Sequence, residues 1–151
     1  MNELRAPGYV AIEGPIGVGK TSLAKRLATS FGSELILERA EENPFLDQFY
    51  RERGKNALAT QLHFLFQRSR QLQSLLQAGL FEEVLVTDFL FAKDRLFAEI
   101  NLDQHELDLY EQVNARLDMD APAPDLVVYL QAPAEVLQSR ILDRNRPGEA
   151  Y

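Results

Sequence analysis

The chain has 151 residues, about one domain, and can bury roughly two thirds of its unfolded surface, so a stable core needs no staples. A formal net charge of −7 argues against a nucleic-acid binder that works by neutralising phosphates, and the lack of cysteine excludes disulfides, a thiolate zinc site and a thiol nucleophile. No apolar run approaches the roughly 20 residues that span a membrane, and Met1 to Pro7 carry no signal-peptide stretch, so the expected location is the cytoplasm, with neither nucleic acid nor membrane as partner.

Short apolar runs alternate with helical stretches. Tyr9 to Ile12 reads as a buried strand ending at Glu13 and Gly14. Leu23, Ala24, Leu27, Ala28 and Phe31 recur at helical spacing over Lys20 to Phe31, and Gly32 stops that helix. Leu35 to Leu37 is a second strand, ending at Glu38. Asn43 as N-cap and Pro44 at the first helical position predict a helix start. A long helix follows over Asn56 to Ala78, with Gly79 at its end. Val84 to Thr87 is a third strand, ending at Asp88. Helices then fit Phe91 to Ile100 and Asp103 to Leu117, a loop spans Met119 to Pro124, Leu126 to Leu130 is a fourth strand, and a last helix covers Pro133 to Asp143.

The strand runs are apolar throughout, as suits strands covered on both faces. With helices between them they predict an α/β fold built on a doubly wound parallel sheet, which binds ligands beyond the carboxyl ends of its strands. Those ends carry Gly14, Glu38 and Asp88.

Gly14-Pro15-Ile16-Gly17-Val18-Gly19-Lys20-Thr21 matches G-x-x-x-x-G-K-[ST] at every fixed position, between a strand and a helix. Its glycines let backbone N–H groups converge on an anion at a helix N-terminus. Lys20 adds a positive charge for the β- and γ-phosphates, Thr21 offers a hydroxyl to Mg²⁺, and Ser22 completes the candidate nucleotide-binding set. Glu38 can take a proton from an attacking hydroxyl and Asp88 can hold Mg²⁺, although spacing alone favours ordinary strand-end acids. Arg140 and Arg144 share a helix face and, with Arg146, either meet phosphates or form a solvated basic face at a helix C-terminus.

These motifs, with Glu42 to Tyr50, Gln61 to Arg68, Thr87 to Phe89, Phe97 to Glu99, Pro124 to Leu130 and Arg140 to Glu149 in order, resemble the deoxynucleoside kinases of the P-loop kinase superfamily, and most closely their bacterial deoxyadenosine/deoxyguanosine kinase branch. The resemblance implies a P-loop nucleoside/nucleotide kinase fold and phosphorylation of a deoxynucleoside by ATP with Mg²⁺, in nucleotide salvage. It implies Glu38 as general base on the 5′-hydroxyl, Tyr50 and Glu149 on the 3′-hydroxyl, and Gln61 on the edge of the base. It further implies Phe97 stacked on the base, Arg68 lining the base pocket, Asp88 at Mg²⁺, and Arg140, Arg144 and Arg146 as lid arginines. Purines are favoured as the base, and a homodimer through the long helices is the family-based expectation. Alternatives from other classes are a P-loop kinase for another small acceptor, such as a nucleoside monophosphate, and a nucleotide-binding module without transfer activity. Phe64, Phe66 and Phe97 also fit a plain core.

The sequence departs from the family at three places. Asp88-Phe89-Leu90 stands where animal enzymes have Glu-Arg-Ser, so the arginine of that motif is absent and Lys93 is a candidate for its charge. Asn145 stands where glycine is usual in the lid. The chain ends at Tyr151, before the rest of the lid, a further helix, a fifth strand and an adenine loop that the resemblance implies. The expectation is therefore a single kinase domain over residues 1–151, truncated in its lid and missing its last strand.

Overall fold

The computed structural model describes residues 8–52, 54–78, 84–117 and 123–144, with residues 75–78 described by their backbone alone. Expectations on Gly79, Met119 to Pro122, Asn145, Arg146 and Glu149 lie outside the described residues. Four strands, β1 (Tyr9–Glu13), β2 (Glu34–Ile36), β3 (Leu85–Thr87) and β4 (Leu126–Tyr129), form one sheet in the order β2-β3-β1-β4. Every pairing is parallel. Six helices alternate with them: α1 (Lys20–Phe31), α2 (Leu46–Arg51), α3 (Ala57–Ala78), α4 (Lys93–Asn101), α5 (Gln104–Leu117) and α6 (Ala134–Arg144).

The α/β architecture follows from where the apolar side chains go. Successive β1 residues point to opposite faces. Val10 and Ile12 join Val86 and the small residues Ala24 and Ala28 of α1 in one core layer. Tyr9 and Ala11 join Leu85 in another, under Leu90 and Phe91. The central strands are thus buried on both faces, as a continuous apolar run requires. A third cluster, around Ala57, Leu65, Ala98, Leu102 and Tyr110, holds α3, α4 and α5 together.

Local signals set most boundaries. Gly32 ends α1 in the left-handed conformation (φ 61°), which returns N–H bonds to the last turn. At the start of α5, Asp103 accepts the N–H of Glu106 at 2.9 Å while the Glu106 carboxylate accepts that of Asp103 at 3.1 Å, a reciprocal cap. One start needs correction: α2 begins at Leu46, not at Pro44. A short 3₁₀ turn over Ala40–Glu42 comes first, and Asn43 is buried. The Asn43 amide donates to the Thr60 carbonyl and its Oδ1 accepts the Phe45 N–H. Asn43 therefore caps the chain's turn from a position fixed by α3, and the helix starts later. Phe66 also departs from expectation: it is 45% exposed rather than core.

Ile12 is fully buried at the centre of the sheet. Ile12→Ala is expected to lower the unfolding free energy by about 2–5 kcal/mol. Urea denaturation should show the loss in the midpoint with the slope unchanged.

Candidate active site

Gly14 to Thr21 joins the end of β1 to the start of α1. A Cβ on Gly14 would lie 2.6 Å from the Leu130 carbonyl oxygen, so only glycine lets the loop pass that backbone. Gly19, with φ 104°, turns the chain into α1, and no side chain caps the helix. The N–H groups of its first turn are therefore left to an outside acceptor, which makes an anion site. Lys20 folds back over the loop, its ammonium donating to the Gly14 carbonyl at 2.7 Å. Burial lowers the Lys20 pKa, and the charge of Lys93 lowers it further against the pull of Glu13, Glu38 and Asp88.

The sheet register lines up the acids. Ala11, Thr87 and Ile36 are level on β1, β3 and β2. One residue on comes Asp88, and one further step on the flanking strands come Glu13 and Glu38. Asp88 is 4% exposed and uses both oxygens. One accepts the Thr21 hydroxyl at 2.7 Å and the other the Glu38 backbone N–H at 2.7 Å. Glu13 accepts the N–H groups of Gly14 and Leu90 and forms an ion pair with Lys93 at 3.2 Å. Glu38 accepts a hydrogen bond from Arg68 at 3.1 Å through Oε1, and its Oε2 lies 3.8 Å from the Lys93 ammonium.

Arg68 is fully buried behind this row. Such a cation persists only if it is paired. Its guanidinium lies over the Phe89 ring at 3.9 Å, donates to Gln71, and faces Asp94 at 3.3 Å out of line for a hydrogen bond. Burial pushes the Asp94 carboxyl up to about 6 despite the nearby Arg68 charge.

A cavity of about 1030 Å³ joins these parts. Gly17 to Ser22, Glu38, Asp88 and Lys93 line it together with Tyr50 of α2, Gln61 and Phe64 of α3, Phe97 of α4, and Arg140 and Arg144 of α6. It has the size of a small-molecule site and places an anion-binding loop, a row of carboxylates and aromatic surface around one space.

Residues 10–151 match the family model described as deoxynucleoside kinase. The chain belongs to the deoxynucleoside kinase family. It is 37% identical to a deoxyguanosine kinase of Bacillus subtilis, over 93% of this chain and 69% of that one. Two solved structures of deoxyadenosine kinase from M. mycoides also align with it. One, with the products dCMP and dCDP bound, superposes with a TM-score of 0.76 at 29% identity, covering 93% of this chain and 73% of that one. The other, with dATP bound, gives 0.74 at 28% identity, covering 93% and 74%.

In this kinase the expected site residues of the described segments converge, with one exception. Tyr50, Gln61, Phe97, Arg140 and Arg144 meet the phosphate loop in one cavity. Arg140 also donates to the Val18 carbonyl at 3.1 Å, which ties α6 to the loop. The exception is Arg68. It does not line the cavity but stands behind the lining residues Glu38, Asp94 and Phe64, because its charge is needed between Glu38 and Asp94. Two residues outside the expected set belong to the network. Glu13 carried the signal that marked Glu38 and Asp88, an acid ending an apolar strand. Asp94 carried none, since an acid in a helix's first turn is ordinarily solvated.

A carboxyl at about 6 in the folded chain, against 3.8 unfolded, binds its proton more tightly when folded. Its contribution to stability is complete below pH 3.8 and is lost as pH rises through 6. Asp94→Asn removes the titration. The stability of the unsubstituted protein relative to Asp94→Asn is expected to fall between pH 4 and pH 6 and to stay level above, as measured by denaturant unfolding across that range.

Proposed function

We propose that this deoxynucleoside kinase transfers the γ-phosphoryl group of ATP to the 5′-hydroxyl of a purine deoxynucleoside. The observation that carries the reading is that Glu38 lines the same cavity as the phosphate loop and as Tyr50, Gln61 and Phe97. The loop and Lys20 hold the donor's phosphates. The acceptor's base lies against Phe97 and pairs with the Gln61 amide, whose donor and acceptor suit either purine or cytosine. Tyr50, with Glu149 by sequence, holds the sugar. Phosphoryl transfer then proceeds by positioning and charge stabilisation. Oε1 of Glu38 is bonded to Arg68, so Oε2 is the oxygen that takes the hydroxyl proton. Arg140 and Arg144, with Arg146 by sequence, meet the charge that develops on the transferring group.

Thr21 and Asp88 fit a Mg²⁺ site, since their oxygens already lie 2.7 Å apart beside the loop. No cluster of three His, Cys, Asp or Glu side chains able to hold a metal occurs among the described residues. That suits Mg²⁺, which takes one or two protein oxygens and otherwise waters and phosphates. When bound, it neutralises phosphate charge. The purine preference is supported by the relatives named deoxyguanosine or deoxyadenosine kinase, while a deoxyadenosine/deoxycytidine kinase of Bacillus subtilis makes deoxycytidine the informative third acceptor. A homodimer is carried by the family resemblance, and location in the cytoplasm is proposed with it.

The test is phosphate transfer from ATP to deoxyadenosine, deoxyguanosine and deoxycytidine. Transfer to the purines is expected, and no transfer to any nucleoside overturns the reading. Transfer only to monophosphates would replace it with a nucleotide kinase. Glu38→Gln is expected to lower kcat by about 100-fold or more. An unchanged kcat removes Glu38 from the role of base.

A further inference from the structure

The Asp88-Phe89-Leu90 segment offers no positive charge beside the candidate base, yet one is present from another element. Lys93 is the first residue of α4. Its side chain is 16% exposed and lines the cavity. Three contacts place its ammonium: Glu13 at 3.2 Å, Glu38 Oε2 at 3.8 Å, and the Phe97 ring, with 5.6 Å to its centroid. Glu13 is itself pinned by the backbone N–H groups of Gly14 and Leu90, one from the phosphate loop and one from the segment after β3. The lysine head is therefore held at a fixed point between donor loop and acceptor wall rather than swinging on its four-carbon stem.

Glu38 thus has a cation on each side, and the two differ. Arg68 is fully buried and occupied by Glu38, Gln71 and Asp94, so it cannot reach a ligand. Lys93 lines the space where Oε2 would meet a hydroxyl. An ammonium carries three donors, and Glu13 and Glu38 use two directions at most.

We propose that Lys93 is the acceptor-side cation of phosphoryl transfer: it steers Glu38 Oε2 toward the attacking hydroxyl and donates to an oxygen of the transferring group, with Glu13 as its anchored counter-ion. Lys20 approaches the same group from the donor side. The inference rests on the proposed function and adds a residue to it. It also accounts for a partly buried glutamate, Glu13, that donor binding alone does not require.

The experiment compares Lys93→Met and Lys93→Arg with the unsubstituted protein in steady-state transfer from ATP to deoxyguanosine and deoxyadenosine. Each assay runs below the melting temperature of its variant, determined by circular dichroism. Lys93→Met is expected to lower kcat about 100-fold, the usual scale for removing one preorganised donor to developing charge, with KM for the nucleoside changed less than about threefold. Lys93→Arg, which restores charge on a different frame, is expected to recover at least about tenfold of the loss. A kcat for Lys93→Met within threefold of the unsubstituted protein overturns the inference, as does a rise in KM alone. An arginine variant no better than the methionine variant overturns it too, because packing rather than charge would then be what was lost. Absence of transfer by the unsubstituted protein overturns the proposed function and this inference together; active unsubstituted protein with active Lys93→Met overturns only the latter.

Discussion

The charge balance at the carboxyl edge of the sheet constrains everything around it. Parallel pairing brings Glu13, Asp88 and Glu38 to neighbouring strand ends, and Asp94 stands just behind. Unit charges about 4 Å apart interact by about 4 kcal/mol near a protein surface, so a bare row of acids would repel itself apart. Two cations and several backbone N–H groups prevent this. Arg68 joins Glu38 to Asp94, Lys93 joins Glu13 to Glu38, and Asp88 is satisfied by a hydroxyl and a main-chain N–H.

This arrangement ties the elements to one another. Asp88 links β3 to α1 through Thr21 and to the segment after β2 through the Glu38 N–H. Glu13 links β1 to the turn before α4. Arg68 brings α3 to the same point. The side chains that would do chemistry are thus held by their own partners, with fixed geometry available before any ligand arrives. Such preorganisation is what phosphoryl transfer demands, because there the protein contributes position and charge more than covalent chemistry.

Much of this was legible in the sequence where a local rule applied. The phosphate loop was readable because its glycines and Lys20 answer to one backbone geometry, and α1 was readable from its apolar spacing and Gly32. Glu38 and Asp88 were readable as strand-end acids. The start of α2 was misplaced because Asn43 caps the turn at Phe45 while its amide is held by the Thr60 carbonyl, seventeen residues on, and the helix begins only after that turn. Arg68 was placed in the cavity wall because its position on α3 is visible in sequence but its partners are not. Asp94 carries no signal in the sequence, and only its burial against Arg68 sets it apart from an ordinary first-turn acid.

By itself the sequence determined an α/β chain with a nucleotide-phosphate loop after its first strand, and its ordered motifs determined the family. These depend on short-range rules: torsions allowed only to glycine, apolar periodicity, and fixed spacings. Which acid meets which cation is set by the folded chain. Glu13 and Lys93 are eighty residues apart, and Glu38 and Arg68 thirty. Their pairing follows from the order β2-β3-β1-β4 and from the packing of α3 and α4, neither of which any local stretch encodes. Electrostatic partnership depends on distance in space and on the absence of water between the groups, and both are properties of the folded chain alone.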